Sequence, residues 1–589
     1  AGPLRQTSTP ISTTEPSPQQ HADPDFLFEE EKKHSSVKEP IEEEIRRSTR
    51  TRHPINRHDP SAVQAQRLHD KLQAQRAALY TTSSVLLTCQ SPEFDDYTLP
   101  QHVLHLHVPT PENFKSASSP EYAEHWVPSM KEETDALEAQ GTWDPEPVKV
   151  PPGAKVIKCR FVYKNKFDEQ GNHTRYKSRL VCMGYDTIEG IHYFETFSPV
   201  VNSASMRLVM LYALEHNLDL EMCDVDNAFV QADLPENEVI YMAAPPGMNI
   251  PKGYALRLRK ALYGLKDSPF HFNKHLDTRL RAYNFIPCKA DPCLYIKRNK
   301  DGDIVALIGC HVDDLACVGV RGELDDLKAF LRSHYSIKDL GAATQLLGIK
   351  VDYNREAGTL KLSQPAMIDN LLNNFGYTDC HPVTTPANEP RLFKYLPSEE
   401  ETAQIKREFG AYYGSSYRSI VGALMWISVS TRPDISFAVI QVAKFVSAPT
   451  LKAFNAVTRI LRYLKGTRTF GICYRRDASG RMVAYSDADW GGDPDTYRST
   501  SGSLFMMFGG AVCWRARLQK LVALSTCEAE LYALCETMKQ AIWIREILGK
   551  LDLDLDFLDT PFEINEDNAA TLVIATTGRQ KPRTKHIGL

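Results

Sequence analysis

The rhythm of apolar and polar positions changes along the chain, and each change predicts an element. Residues 1–60 show no periodicity. They hold eight Pro and two aromatics, Phe26 and Phe28, among Ser, Thr, Glu and Arg clusters. That composition buries too little apolar surface to offset ordering, so 1–110 is expected to be a disordered linker. Within it, the Ala-, Gln- and Leu-rich stretch 61–80 allows one helix. Order is expected from about Pro111. EYAEHWVPSMKEETDALEAQGTW reads as a helix with apolar positions at Trp126, Met130 and Leu137 and a stop at Gly141. From Val156 to Val181 the pattern is strand, turn at Asp168–Gly171, strand. SASMRLVMLYALEHN reads as a helix capped by Ser203 or Ser205, and the short strand LEMCDV follows it. IVALIGC and LACVGV are two apolar runs separated by only four residues, His311 to Asp314. From about Gly471 a strand hairpin region leads into helices and a basic tail. No internal repeat is visible.

Composition narrows the class. At 589 residues the chain has room for three or four domains, and 42% hydrophobic with 24% charged residues is ordinary for globular protein. The net charge of −5 hides an uneven distribution: residues 151–185 carry five Lys and three Arg against one Asp and one Glu. Such a patch either tracks a phosphate backbone or is a solvated face. Thirteen scattered Cys without a CxxC pair argue for reduced thiols in a cytosolic or nuclear setting. No run of 18 apolar residues exists, so no membrane partner is expected. The chain opens on Ala1, which suggests a fragment or a piece of a longer precursor.

Chemistry enters with IVALIGCHVDDLACVGV. Two β-prone runs joined by an acidic turn make a hairpin with Asp313 and Asp314 side by side at its tip. Adjacent carboxylates repel unless a cation neutralises them, and Mg²⁺ favours carboxylate oxygens with substrate phosphates. An isolated Asp-Asp is usually only a polar turn. Asp224, at the end of LEMCDV, changes that reading. A third carboxylate upstream of a strand–DD–strand hairpin matches a two-metal phosphoryl-transfer site.

With these residues in hand a resemblance is specific. RYKSRLVCMGYDTIEGIHYFETFSPVV, DVDNAF, IYMAAPPGM, LRLRKALYGLKDSP, HVDD, KDLGAATQLLGIKV, YRSIVGALMWISVSTRPDISFAV and ILRYLKGT, in this order from about Pro111, resemble the copia-type reverse transcriptases of retrotransposon polyproteins. The resemblance implies that Asp224, Asp313 and Asp314 are catalytic metal ligands and that Lys177 and Arg179 grip the incoming triphosphate. It implies an aromatic gate against the ribose 2′-hydroxyl at Phe229, and a segment beneath nucleotide and template at Tyr263 and Gly264. KDLGAATQLLG stands for the primer grip. Phe229 as a core aromatic, and Lys177 and Arg179 as exposed strand charges, are the competing readings. Two departures stand out. His311 replaces the family's Tyr or Phe, and the adjacent carboxylates are expected to favour its protonated form. LKDSPFHF replaces the usual LKQSPRxW, which loses an amide at Asp267, a cation at Phe270 and an indole at Phe272.

A second set of acids follows: Asp487 ending a strand in VAYSDADW, Glu530 early in the helix STCEAELYAL, and Asp567 ending a strand in FEINEDNAA. Strand-Asp, helix-Glu, strand-Asp is the order of a ribonuclease H fold, whose carboxylates hold two divalent ions. YRSTSGSLFMMFGGAVCWRARLQKLVALSTCEAE and RTKHI again resemble the copia-type domain. Glu530 is chosen over Glu528, and Asp489 is taken as structural. The family continues KHI with an Asp; Gly588 stands there, so a fourth carboxylate is missing.

The expected architecture is α+β: a right-hand polymerase followed by an α/β ribonuclease H-like domain. Residues 111–390 would form fingers, palm and the start of the thumb, 391–470 a helical connection, and 471–589 a C-terminally truncated ribonuclease H domain. The expected activity is RNA- and DNA-directed DNA synthesis with cleavage of RNA in hybrids, in retrotransposon replication. Two Mg²⁺ or Mn²⁺ ions per site are implied, with an RNA template, RNA/DNA hybrid, deoxynucleoside triphosphates and a tRNA primer as partners. An upstream integrase segment of the same polyprotein is expected from RRSTRTRHP, although no protease D[ST]G or integrase HxxxH…CxxC motif is present. The family setting is cytoplasmic virus-like particles, or the nucleus. The alternative is an eroded or domesticated copy that binds nucleic acid without catalysis.

Overall fold

The computed structural model describes residues 110–167, 173–388, 391–409, 415–553 and 563–578. The linker with its helix at 61–80, the turn Asp168–Gly171 and the RTKHI tail with Gly588 lie outside these residues.

The helix carrying Trp126, Met130 and Leu137 runs Ala123–Ala139, with all three side chains buried and Gly141 at φ +66° just past its end. It packs on a long hairpin, Cys159–Phe167 with His173–Cys182. Alternate residues Phe161, Tyr163, Leu180 and Cys182 point into this core, as the two-residue period of a half-buried strand requires. The Trp126 ring meets Tyr163 and Tyr176 edge-on at 5.3 and 5.1 Å. A small four-stranded sheet (Val148–Lys149, Tyr254–Arg257, Tyr241–Met242, Val156–Ile157) lies in the same hydrophobic cluster.

The central element is a six-stranded antiparallel sheet. Its order is Ile337–Ala342, Asp219–Val225, Asp314–Gly319, Ile304–His311, Leu294–Arg298, Phe285–Pro287. Helix Arg321–His334 lays Leu324, Leu327 and Leu331 on it, one apolar stripe at helical spacing. Helix Ser203–Glu215 is apolar nearly all round because it is covered on both sides, by this sheet and by strand Gly510–Leu518 and helix Thr526–Leu551. Its cap is Asn202, not Ser203 or Ser205. Asn202 is extended, its side-chain oxygen accepts the Ala204 N–H at 2.9 Å, and its own N–H donates to Asp291 at 2.8 Å, which fixes the start one residue early. Glu221, buried in the central strand, is held by Lys328 and Arg321.

Among the described residues, five α-helices between Pro365 and Gly466 build a separate core around Leu424, Ile427, Phe454, Leu461 and Leu464. The strand after them, Gly471–Arg475, pairs with Thr359–Ser363. The sheet Gln345–Leu346, Ile349–Asn354, Thr359–Ser363, Gly471–Arg475 therefore runs across the domain boundary drawn at 471. The last sheet has the order Gly510–Leu518, Thr500–Met507, Val483–Ala488, Glu563–Asn565. It is antiparallel except for the final pair, which is parallel and joined through helix Thr526–Leu551.

Candidate active sites and family match

Strand register assembles the first site. Asp224 stands directly opposite Asp314, and the two-residue turn Val312-Asp313 brings Asp313 beside them, its carbonyl accepting the Val225 N–H at 3.0 Å. Val312 has φ +57°. For a β-branched residue that region costs about 1–2 kcal/mol, strain of the kind that persists at functional turns. Burial pushes the Asp314 carboxyl up to about 7, with Asp313 and Asp224 adding to it. Asp313 is also raised, by burial first and by Asp224, against the pull of Arg179 and Lys177. Lys338, on the neighbouring strand, lies 3.6 Å from Asp224 and pairs with Asp226. The three acids do not bring their oxygens within 4.8 Å of one another, as two other clusters among the described residues do. Their all-carboxylate donor set, with Asp313 and Asp314 raised, still fits a hard divalent cation, Mg²⁺ or Mn²⁺.

The residues expected to bind nucleotide form a chain of contacts. The Arg179 guanidinium lies 5.1 Å from the Tyr263 ring centroid, and that ring meets Phe229 edge-on at 5.0 Å. Arg179 Nε is buried with no hydrogen-bond partner, an orphan donor beside the acids. Burial lowers the Lys177 ammonium, and Arg179 adds to this while Glu133 opposes it. Glu133 accepts the Leu180 N–H at 3.1 Å behind the two cations. Phe229 is half-buried against the main core, so it borders both core and site. Gly264 has φ +89°, and a Cβ there would sit 2.1 Å from the Cys182 carbonyl oxygen. That close approach lets the Tyr263 carbonyl accept the Cys182 N–H at 2.7 Å and locks the Tyr263 segment to the hairpin. His311 departs from its expected protonation: burial lowers its pKa, and the carboxylates do not offset this.

In the second site, Asp487, Glu530 and Asp567 bring one oxygen each to within 4.8 Å of the others. Glu530 is buried while the two Asp are exposed. Burial raises Glu530 to about 8, with Glu566, Asp487 and Asp567 adding repulsion. Glu530 Oε2 and Glu566 Oε2 are buried without a hydrogen-bond partner, which fits a set of acids built around a cation. Glu528 does a different job. Ser525 caps the helix by accepting the Glu528 N–H at 3.2 Å, and Glu528 returns to the Leu524 N–H at 2.7 Å. Asp489 accepts the Thr500 N–H and closes the strand end. A groove between strands Thr500–Met507 and Gly510–Leu518 and helix Thr526–Leu551 is lined by Arg515, Arg517, Lys520, Tyr532 and Glu536.

Sequence reading missed Lys338, Glu133 and Glu566. Lys338 lay within the quoted KDLGAATQLLG, and Glu566 adjoins Asp567. Nothing local to Glu133 marks it.

Residues 141–389 match the family described as reverse transcriptase (RNA-dependent DNA polymerase). The chain is 36% identical over 482 residues to the retrovirus-related Pol polyprotein from transposon TNT 1-94 of Nicotiana tabacum, covering 81% of this chain and 35% of that one. It is 34% identical over 475 residues to that from transposon RE1 of Arabidopsis thaliana, 79% of this chain and 31% of the other. A putative transposon Ty5-1 protein of Saccharomyces cerevisiae is 30% identical over 325 residues, 54% of this chain and 99% of its own length. The fold of the matched region is therefore that of a reverse transcriptase. The chain belongs to the copia-type retrotransposon Pol polyproteins, and within them to the reverse transcriptase region. It spans about a third of the length of the two plant polyproteins.

Proposed function

We propose that the chain synthesises DNA on RNA and DNA templates at Asp224, Asp313 and Asp314, and cleaves the RNA strand of hybrids at Asp487, Glu530 and Asp567. The observation behind the first activity is the register that sets Asp224 opposite Asp314 with Asp313 at the turn, inside the matched residues 141–389. Behind the second is the convergence of Asp487, Glu530 and Asp567 around buried, unpartnered Glu530 Oε2. Bound Mg²⁺ or Mn²⁺, two ions per site, would activate the attacking hydroxyl or water and neutralise phosphate charge. In the polymerase site, Arg179 donates to the triphosphate from its orphan Nε and Lys177 adds charge. Tyr263 supports the Arg179 guanidinium, and Phe229 excludes a 2′-hydroxyl by contact. In the nuclease site, Arg515, Arg517 and Lys520 hold a strand of the hybrid by its phosphates.

The partners that follow are an RNA template, an RNA/DNA hybrid, deoxynucleoside triphosphates, a tRNA primer and an integrase segment of the same polyprotein. The setting is cytoplasmic particles or the nucleus. No described helix is long and apolar enough to cross a membrane, and no membrane partner is proposed.

The test is primer extension on poly(rA)/oligo(dT) with Mg²⁺ or Mn²⁺, run beside cleavage of a labelled hybrid. Asp313→Asn is expected to lose extension by roughly a thousandfold, about 4 kcal/mol of transition-state stabilisation, and to keep cleavage. Glu530→Gln is expected to do the reverse. Extension by Asp313→Asn at the parent rate sinks the polymerase assignment. One observation favours a second reading, nucleic-acid binding without synthesis: Lys338 already occupies the side of Asp224. A parent chain that retards primer–template in a gel yet extends nothing with either metal would establish it.

A further inference from the structure

Outside both sets of catalytic acids, three buried side chains converge where this sequence departs from its family. Asp267 precedes helix Ser268–Ala282, and His271 lies in its first turns. Glu238 comes from the connection before strand Tyr241–Met242 and sits against them. Their exposures are 2%, 6% and 8%. Asp267 occupies the cap position yet makes no capping hydrogen bond; its carboxylate faces His271 instead.

The geometry leaves too few protons. His271 Nε2 is 3.1 Å from Asp267 Oδ2, with hydrogen-bond geometry, and 2.8 Å from Glu238 Oε2. One ring nitrogen carries one hydrogen. Glu238 Oε2 is the closer of the two but lacks hydrogen-bond geometry to the ring, so two buried carboxylates share one ring nitrogen, Asp267 by a hydrogen bond and Glu238 as an ion pair. A buried carboxylate in that position costs more than a hydrogen-bonded one returns, unless a cation stands between the lone pairs. One atom of each residue already lies within 4.8 Å of the other two.

We propose that Glu238 Oε2, Asp267 Oδ2 and His271 Nε2 hold a structural Zn²⁺ ion. The donor chemistry selects the metal. Zn²⁺ takes imidazole nitrogen with carboxylate oxygen at about 2.0–2.1 Å, which sets tetrahedral ligands about 3.3 Å apart. Mg²⁺ prefers oxygens and keeps its waters, which suits a buried imidazole site poorly. The ion ties the start of helix Ser268–Ala282, and with it the Tyr263–Asp267 segment beneath the nucleotide, to the chain that follows Phe229. It takes the place of the amide and cation that the family pattern has in this segment.

The test uses the full chain, freed of metal with a chelator and titrated with Co²⁺. Tetrahedral Co²⁺ absorbs strongly in the visible, whereas Co²⁺ on an all-oxygen octahedral site absorbs weakly. One equivalent of the strong band is expected in the parent chain and in Glu530→Gln, where the nuclease acids are broken. One equivalent of Zn²⁺ is expected to bleach it, and a hundredfold excess of Mg²⁺ to leave it. The band is expected to vanish in His271→Gln and in Glu238→Gln with circular dichroism unchanged. Absence of the band in the Glu530→Gln chain overturns the proposal whatever the variants do. So does its survival in either folded variant.

Discussion

Arg207 lies over the Trp514 indole, its guanidinium carbon 4.3 Å from the ring centroid, and no carboxylate pairs with it among the described residues. Its Nη1 instead donates to the carbonyl of Val512 at 3.0 Å, and its Nη2 to those of Val429 at 2.9 Å and Ser430 at 2.7 Å. Two of those carbonyls end helix Ser415–Ser430, the negative pole of its dipole. One buried cation thus joins the polymerase sheet's helix, the helical region and the last sheet. In Arg207→Met three carbonyls lose their donor, and the net loss is expected to be about 3 kcal/mol. Amide exchange should rise in Gly510–Leu518 and stay unchanged in the hairpin Cys159–Cys182. Equal protection of Gly510–Leu518 in both proteins would refute the clamp.

Gly264→Ala should fail for a different reason. The new Cβ would fall 2.1 Å from the Cys182 carbonyl oxygen, at a φ that L side chains rarely adopt. The Tyr263 segment must then leave the hairpin, at a cost of roughly 2 kcal/mol or more. A lower melting temperature and a raised KM for deoxynucleotide are expected together. A variant that melts with the parent chain would contradict the contact.

Phe229 contacts Tyr263 and the core at once, so trimming it should loosen the site without emptying the core. Phe229→Val is expected to raise ribonucleotide over deoxyribonucleotide incorporation at least tenfold, about 1.4 kcal/mol of discrimination. Single-nucleotide extension reads the ratio, and an unchanged ratio would leave Phe229 a packing residue.

Glu530 gives a pH dependence with a definite sign. Its folded pKa, about 8, lies above the ordinary 4.5, so between those values the folded chain binds more protons than the unfolded one. Without metal, stability then falls as pH rises from about 5 to 8. Melting curves in chelator should show that decline. Mg²⁺ should offset it by favouring the charged carboxylate, and Glu530→Gln should flatten it. A metal-free chain that grows more stable over this range would contradict the raised carboxyl.

His311 should not impose a pH dependence of its own. Burial holds the imidazole neutral near pH 7, so His311→Tyr and the parent should give superimposable extension profiles from pH 6.5 to 8. A steeper acid limb for the parent would restore a protonated His311.

Much of this was legible because it is local. Strand periodicity placed Asp224, Asp313 and Asp314, and a helix pattern placed Glu530. Capping was legible only in kind: Asn202 and Ser203 are both good caps, and the choice fell to Asp291, 89 residues away. The protonation of His311 could not be read from its neighbours in sequence, since burial by distant residues outweighs the adjacent acids. Glu238 and His271 lie 33 positions apart, so their contact could not be read from LKDSPFHF alone. The boundary at 471 followed a change in pattern, but hydrogen bonding carries one strand across it.

That strand has a consequence during synthesis. Thr359–Ser363 is made more than a hundred residues before its neighbour Gly471–Arg475, and the helices from Pro365 to Gly466 are translated in between. A ribosome that has not yet delivered Gly471 leaves one side of Thr359–Ser363 with open hydrogen-bonding groups, the kind of edge that recruits strands from other chains. At 5–20 residues per second this interval lasts roughly 5–20 s. A transcript cut short among the helices would make the condition permanent, so truncated copies are expected to be lost to aggregation rather than to accumulate as inactive competitors.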